Sequence, residues 1–489
     1  MLPLFGNYDL ASDIEVSTMS SLPSSMIRAL TQRQPLPAGS PGFVNDIWRI
    51  ALTLLLALLG FIFFVVGILI LRLLVDWLVI PGVKYRDFTE FYLLASAIRY
   101  GIDITLPLTT IGEHLGIDPT LVGFNHPAPY PPTMGLLFLP FAYIDYTLGG
   151  LIWLAIDFAS LVAAIALLVQ LIGSRLHPLL VIPIALALVA WDPVFWELKW
   201  GQVGTLLLLL HVGMLLLLQR GHPRGAGVLF GLALLIKPLT VPVAALLLLR
   251  RQWRVLGAAV GVVVGGYAAA LLTVGPIALI KYFTQSLPTV GRFYSTFWPN
   301  ISLATLGSRL FEGMWQPAVL PRPEDAVMVS DPLIASPLAA QAILLLLPLL
   351  VISAGLWAVH RLPLDSAVAI LLCISIAVSP ISWIHYEVLA LPLIAQTLAW
   401  LQAHGWPRRL TTAVACILLP MLFWLMIWLY LGLSFTRPRL EGELPHYPAV
   451  ATLPVLMPGL LLLLLAALGT WMAYHSLPLV LDVETRSPR

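Results

Sequence analysis

The sequence predicts an all-α protein that crosses a membrane many times. Three observations carry that prediction. Of 489 residues, 60% are hydrophobic and 10% are charged, against about 25% charged in soluble domains. The apolar residues form long uninterrupted runs that recur to the C-terminus, and mean hydropathy is +0.94. Such runs cross a bilayer as helices, which satisfy their own backbone polar groups where no water can. The net charge of +2 gives no footprint for a nucleic-acid partner. Cys373 and Cys416 lie in apolar runs, form no CxxC and read as buried small hydrophobes.

Taken in order, residues 1–45 are rich in Ser, Pro and Gly without an apolar stretch, and read as a mobile cytoplasmic tail rather than a cleaved leader. Ile50–Leu71 then holds 22 residues without a charge, bounded by Arg49 and Arg72. As a helix it would be ~33 Å long, enough to span. Arg28, Arg33 and Arg49 place the N-terminus inside by the positive-inside rule. The segment 81–130 is then extracytoplasmic, and it opens with the charged stretch KYRDFTEFY at 84–92.

Residues 131–147 carry Pro131, Pro132 and Pro140, too interrupted for a full crossing, and read as re-entrant or interfacial. The run 149–172 contains Asp157, expected to make a structural hydrogen bond inside the bundle. Arg175 and His177 fall inside and WELKWGQ (196–202) outside, with Glu197 and Lys199 as an interfacial pair. The run 226–249 has basic residues at both ends, Arg220 and Arg224 before it, Arg250, Arg251 and Arg254 after it. A break at Lys237–Pro238 puts both clusters inside, because proline disfavours α geometry in the residue before it. The competing reading is one Pro-kinked span with a snorkelling lysine.

Runs at 338–360, 366–383, 388–403, 410–433 and 453–474 alternate to a cytoplasmic tail at 476–489. The loop 277–337 and SPISWIHYE (379–387) fall outside, and so does 434–452 despite Arg437 and Arg439. This gives ten full spans, two half-spans and one short segment, or 11–13 membrane elements, within a catalytic body over 46–475.

The polar groups that do not suit a membrane gather on the outer face: Asp87, Glu90, His126, Glu197, Lys199, Gln202, Lys237, Arg309, His385 and Glu387. Ionisable residues at membrane depth point to function. No GxxxxGK, dinucleotide GxGxxG, HExxH, DxD or His/Cys metal set is present. A site opening outward from lipid suits a lipid-linked substrate. A carboxylate there can act as general base on an alcohol, and Lys, Arg and His can offset the charge of a departing phosphate.

Six fragments, in order, resemble glycosyltransferase family 87 of the GT-C superfamily over roughly 80–400: DFTEFYLLASAIRYG (87–101), PYPPTMGLLFLP (129–140), GQVGTLLLLL (201–210), RGHPRGAGVLFGLALLIKPL (220–239), NISLATLGSR (300–309) and SPISWIHYE (379–387). Two positions depart from the family's habit: Tyr386 stands where a second histidine is frequent, and Gly204 where Asn is common. The resemblance implies a GT-C fold in the plasma membrane with the active site outside. It implies transfer with inversion from a polyprenyl-phosphate sugar to a glycolipid or glycan acceptor, without a cofactor or resident metal. Mannose is the first expectation for the sugar and arabinose the alternative. Asp87 matches the catalytic base, with Lys84 and Arg86 holding it ionised or meeting lipid headgroups. Lys237, Arg309 and His385 match donor-phosphate contacts, and Glu90, His126, Tyr130, Gln202, Asn300, Trp383 and Glu387 supporting positions.

Two competing readings stay open at this point. A transporter or flippase would use the same charges for capture, though such folds often repeat internally and no second copy of KYRDFTEFY or NHPAPYPP occurs in the C-terminal half. A non-catalytic GT-C relative would need none of Asp87, Lys237, Arg309 and His385.

Overall fold

The computed structural model describes residues 86–117, 126–172, 191–297, 299–317, 326–421 and 449–476. The tail 1–45, the run Ile50–Leu71, Lys84, Arg175, His177, Arg437, Arg439 and the C-terminal tail lie outside the described residues, as does the second half of 410–433. Contacts divide the chain into Met1–Leu58 and Leu59–Arg489, and all described residues belong to the second unit.

The described chain is helical almost throughout. KYRDFTEFY enters α1 (Arg86–Tyr100), which carries Asp87 in its first turn, where a helix N-terminus favours negative charge. A short α2 (Leu108–His114) follows. The proline-rich stretch forms α3 (Pro132–Leu137) and a 3-10 turn (Leu139–Tyr143). Neither is long enough to cross, as the prolines imply. The first long described span is α4 (Tyr146–Ile172).

Two broken pairs follow. α5 (Asp192–Trp200) and α6 (Gly204–Gln219) meet at 114°, and α7 (Pro223–Ile236) meets Pro238–Leu249, which contains α8 (Val241–Leu249), also at 114°. The second break falls at Lys237, whose φ of −156° and ψ of 116° are extended, the geometry that a following proline selects. The first break is made by Gly201, which has φ +64° and closes α5 with the left-handed turn that glycine adopts most easily. WELKWGQ is therefore the end of a half-helix, not a plain loop.

α9 (Trp253–Lys281) kinks at Gly275 before Pro276 and runs through a π turn into α10 (Leu287–Ser295). Helix thus continues well into the stretch expected to be loop from 277. A short non-spanning segment follows, with α11 (Leu306–Phe311) and the antiparallel hairpin β1 (Met314–Pro317) and β2 (Ala326–Ser330). The chain then forms α12 (Pro337–Val359), α13 (Leu364–Val378), a 3-10 turn (Ile384–Ala390), α14 (Leu391–Ala403) and α15 (Met457–Ser476).

Among the described residues five helices are long and apolar enough to cross a membrane, or up to seven when each bent pair counts as one. On α12, Leu338, Leu345, Leu346, Leu349, Leu350 and Trp357 are exposed. A water-soluble protein rarely carries so large an apolar surface; lipid covers it at no cost. α13 by contrast is buried along most of its length, so it stands inside the bundle.

Helix contacts rest on small residues. A Cβ on Gly227 would come within 2.2 Å of the Val255 carbonyl oxygen, and one on Gly231 within 2.8 Å of that of Ala259. This Gly-x-x-x-Gly face lets α7 press against the backbone of α9.

Candidate active site

The site is assembled at the two breaks and the start of α1. Phe88 and Phe91 are fully buried and anchor α1, Phe91 lying 4.7 Å from Tyr130 and 4.8 Å from Phe138 between ring centroids. Asp87, one residue earlier, is left half-buried at the helix start. The Gly201 turn carries Gln202 to it, and the Gln202 amide donates to Asp87 Oδ2. That turn is itself pinned, since Trp153 Nε1 donates to the Gly201 carbonyl at 2.8 Å. The Tyr130 hydroxyl lies 3.4 Å from both polar atoms of the Gln202 side chain. Burial keeps this phenol protonated, its pKa well above the usual value.

Lys237 sits where no helix can satisfy it. Its ammonium donates to the Tyr386 hydroxyl and lies 4.1 Å and 4.9 Å from the ring centroids of Tyr386 and Tyr130, a cation–π arrangement. Asp87, Glu90 and Glu197 are within its electrostatic reach. His211, which belongs to no motif, ties the two breaks together. Its Nδ1 is 2.7 Å from the Leu207 carbonyl oxygen and its Nε2 3.0 Å from the Thr240 hydroxyl, just past Lys237.

His385 stands beside this group, with Tyr386 at 4.5 Å and Trp200 at 5.5 Å between ring centroids. It is buried, and neither ring nitrogen has a hydrogen-bond partner. Glu387, two residues on, turns toward Asp192 instead, and both of its buried carboxylate oxygens lack partners.

The other expected residues brace this centre. Asn300 is fully buried and donates to the carbonyls of Tyr294 and Pro380 at 3.0 and 2.9 Å, while its Oδ1 accepts from the N–H groups of Ser302 and Ser382. It thereby fixes the irregular segment that leads into Trp383 and His385. Arg309 donates to the Asn300 carbonyl at 2.6 Å and is fully buried. Burial lowers its pKa to about 9, which still leaves it charged at neutral pH. His126 Nε2 lies 2.8 Å from the Tyr294 hydroxyl, and Tyr294 packs edge-on against Trp383 at 5.2 Å. Glu90 is buried one turn after Asp87.

The structure therefore joins Asp87, Tyr130, Gln202, Lys237 and His385 through Tyr386, and sets Arg309, Asn300 and His126 behind them. Glu197 and Lys199 part company: they lie two apart on α5, so they point to different faces. Glu197 is buried at the start of α6, while Lys199 lies 4.5 Å from the Trp196 ring centroid. Among the described residues no three His, Cys, Asp or Glu side chains are placed to hold a metal ion.

A helical bundle that gathers a half-buried carboxylate, a caged lysine and a histidine without hydrogen-bond partners at two helix breaks is a polytopic membrane protein with a polar centre. The chain matches glycosyltransferase family 87, a GT-C family, over residues 129–381, more than half its length, and it belongs to that family. It is 32% identical over 209 residues to an alpha-(1->3)-arabinofuranosyltransferase of Mycobacterium tuberculosis, covering 42% of this chain and 45% of the relative. It is 31% identical over 219 residues to the protein of that name from Corynebacterium glutamicum, covering 44% and 48%. The matches thus span less than half the length of these curated relatives. No solved structure matches the chain. The mannosyl donor expected first finds no support in these relatives; the arabinosyl alternative fits them better.

Proposed function

We propose that this chain transfers an arabinofuranosyl unit from a polyprenyl-phosphate donor to an extracytoplasmic glycan or glycolipid, with inversion and without a cofactor. The observation that carries the reading is the pairing of a half-exposed carboxylate, Asp87 on Gln202, with the caged cation Lys237 beside it. The names of the relatives supply the sugar.

In the reaction the acceptor hydroxyl attacks the anomeric carbon and its proton passes to Asp87. The bond between that carbon and the phosphate oxygen breaks, and polyprenyl phosphate leaves with the electron pair. Gln202 supports the charged form of Asp87 before attack, since a donated hydrogen bond favours the carboxylate. Lys237 stabilises charge gathering on the departing phosphate. The N–H of His385, whose ring nitrogens have no protein partner, donates a further contact to it, and Arg309 holds the Asn300 strut from behind. The donor's own phosphate ester supplies the driving force, so no nucleotide is required.

The test is purified protein supplied separately with polyprenyl-phosphoarabinofuranose and polyprenyl-phosphomannose, with a short glycan acceptor. Transfer from the first alone is expected. Transfer from the second alone would overturn the sugar assignment, and transfer from neither, with the donor moved intact across vesicles, would favour a transporter.

A further inference from the structure

Glu197 and Asp157 are buried carboxyl groups that this reaction does not use, and both close on one residue. Glu197 Oε1 accepts the Thr205 N–H at 3.0 Å, and Asp157 Oδ1 accepts the Thr205 hydroxyl. Glu197 also accepts the Gly204 N–H. The residue before α6, Val203, offers no side-chain cap, so Glu197 reaches across the break to satisfy the orphan donors of the helix start. Gly204 leaves room for that approach, since a Cβ there would lie 2.7 Å from Glu197 Oε2 and would shift the carboxyl group.

Between these anchors hangs the turn 201–203. Trp153 holds its first carbonyl, and the Gln202 N–H donates to the Glu197 backbone oxygen at 3.0 Å. Trp153 and Asp157 are one turn apart on α4, so a single face of that helix secures both ends of the turn. The side chain that this clamp presents is Gln202, buried and bonded to Asp87.

We propose that Glu197, assisted by Asp157, is a positioning residue that caps α6 so that Gln202 is held against Asp87. The inference rests on the reading of Asp87 as the general base. Without the cap the turn loses its register, Gln202 leaves the carboxylate, and Asp87 ionises less readily. Misplacement on the scale of 1 Å costs up to ~10²-fold in rate. Asp87 is faced by Gln202, Glu90, Tyr130, Tyr386 and Lys237, and Glu197 by Asp157, Tyr386 and Lys237. Lys237 answers to both carboxylates, so the variants must separate charge from capping.

Glu197→Ala removes both the carboxyl group and the cap. Glu197→Gln removes the carboxyl group and keeps an acceptor for Thr205. Gly204→Ala keeps the carboxyl group and displaces the cap. Turnover, donor KM, donor-analogue binding and the acid limb of the pH–rate profile are measured in purified full-length protein. The expected result is a kcat loss of up to ~10²-fold in Glu197→Ala and Gly204→Ala, with donor KM unchanged and the acid limb moved to higher pH, and recovery of both in Glu197→Gln. Glu197→Gln as impaired as Glu197→Ala, wild-type behaviour in all three, or donor binding lost together with turnover would each overturn the assignment. Asp87→Asn is run in parallel. If it retains full activity, the base reading has failed; if it is inactive while the other variants behave as wild type, the positioning role alone has failed.

Discussion

Asp87 and Glu90 share a helix face but differ in access: Asp87 is half-buried and meets Gln202, while Glu90 is 4% exposed. The expected outcome is that Asp87→Asn loses ~10²–10⁴ in turnover, the range for a general base, with donor binding intact, while Glu90→Gln is mild. Transfer rates at saturating donor decide it, and near-wild-type turnover in Asp87→Asn would pass the role elsewhere. His126 makes a second prediction. Burial lowers its pKa from 6.5 to about 4, so below pH 6.5 the unfolded chain binds the extra proton more readily than the folded one. Stability from this residue is complete above pH 6.5 and is lost as pH falls toward 4. The Tm of His126→Gln should fall less steeply over that window than wild type's, and equal slopes would exclude the contribution. At this scale Asp87, Lys237 and His385 are legible in the sequence because charge in an apolar chain is conspicuous. Tyr386, His211 and the cap made by Glu197 are not. Their roles depend on partners up to 149 residues away, which no local pattern encodes.

At the scale of elements, the two breaks were unequally legible. Lys237–Pro238 announces itself because the proline ring restricts the residue before it. Gly201 does not, because a glycine in an apolar chain serves turn, cap and close packing alike. The packing glycines of α7 yield a prediction of their own. Gly227→Val would drive a side chain into the Val255 carbonyl, where even a Cβ comes within 2.2 Å. Overpacking of this kind costs about 1–3 kcal/mol or more. A lower Tm in detergent and reduced donor use are expected, because α7 carries Lys237 at its end. Gly257 serves as control, since a Cβ there meets nothing within 4 Å; Gly257→Ala should leave Tm unchanged or raised.

For the molecule as a whole, the charge pattern assigns the Asp87 side to the exterior. In a background with Cys416→Ser, Ile334→Cys should react in intact cells with a membrane-impermeant maleimide, and His404→Cys only after permeabilisation. Cys416 is replaced because it is exposed, contrary to the buried position expected from its apolar run; the native Cys373 is buried and should stay silent. Reversed labelling would invert the topology and, with it, the choice of an extracytoplasmic acceptor. The angles of the bends inside the apolar runs were the least legible property. Hydropathy reads α5–α6 and α7–α8 as continuous apolar sequence, and the 114° bends that break both pairs are visible only in three dimensions.

Those bends also bear on how the protein is made. α5 and α8 have 9 residues each, α7 has 14 and α6 has 16, all below the ~17–25 that a bilayer accepts as a single passing helix. Emerging from the ribosome, none of the four is a convincing insertion signal by itself. The long neighbours, α4 and α9, are expected to insert on their own and offer a protein surface on which the half-helices can settle. The apexes at Gln202 and Lys237 are therefore expected to be among the last parts to form. A chain arrested before α9 is complete should be inserted yet unable to bind donor.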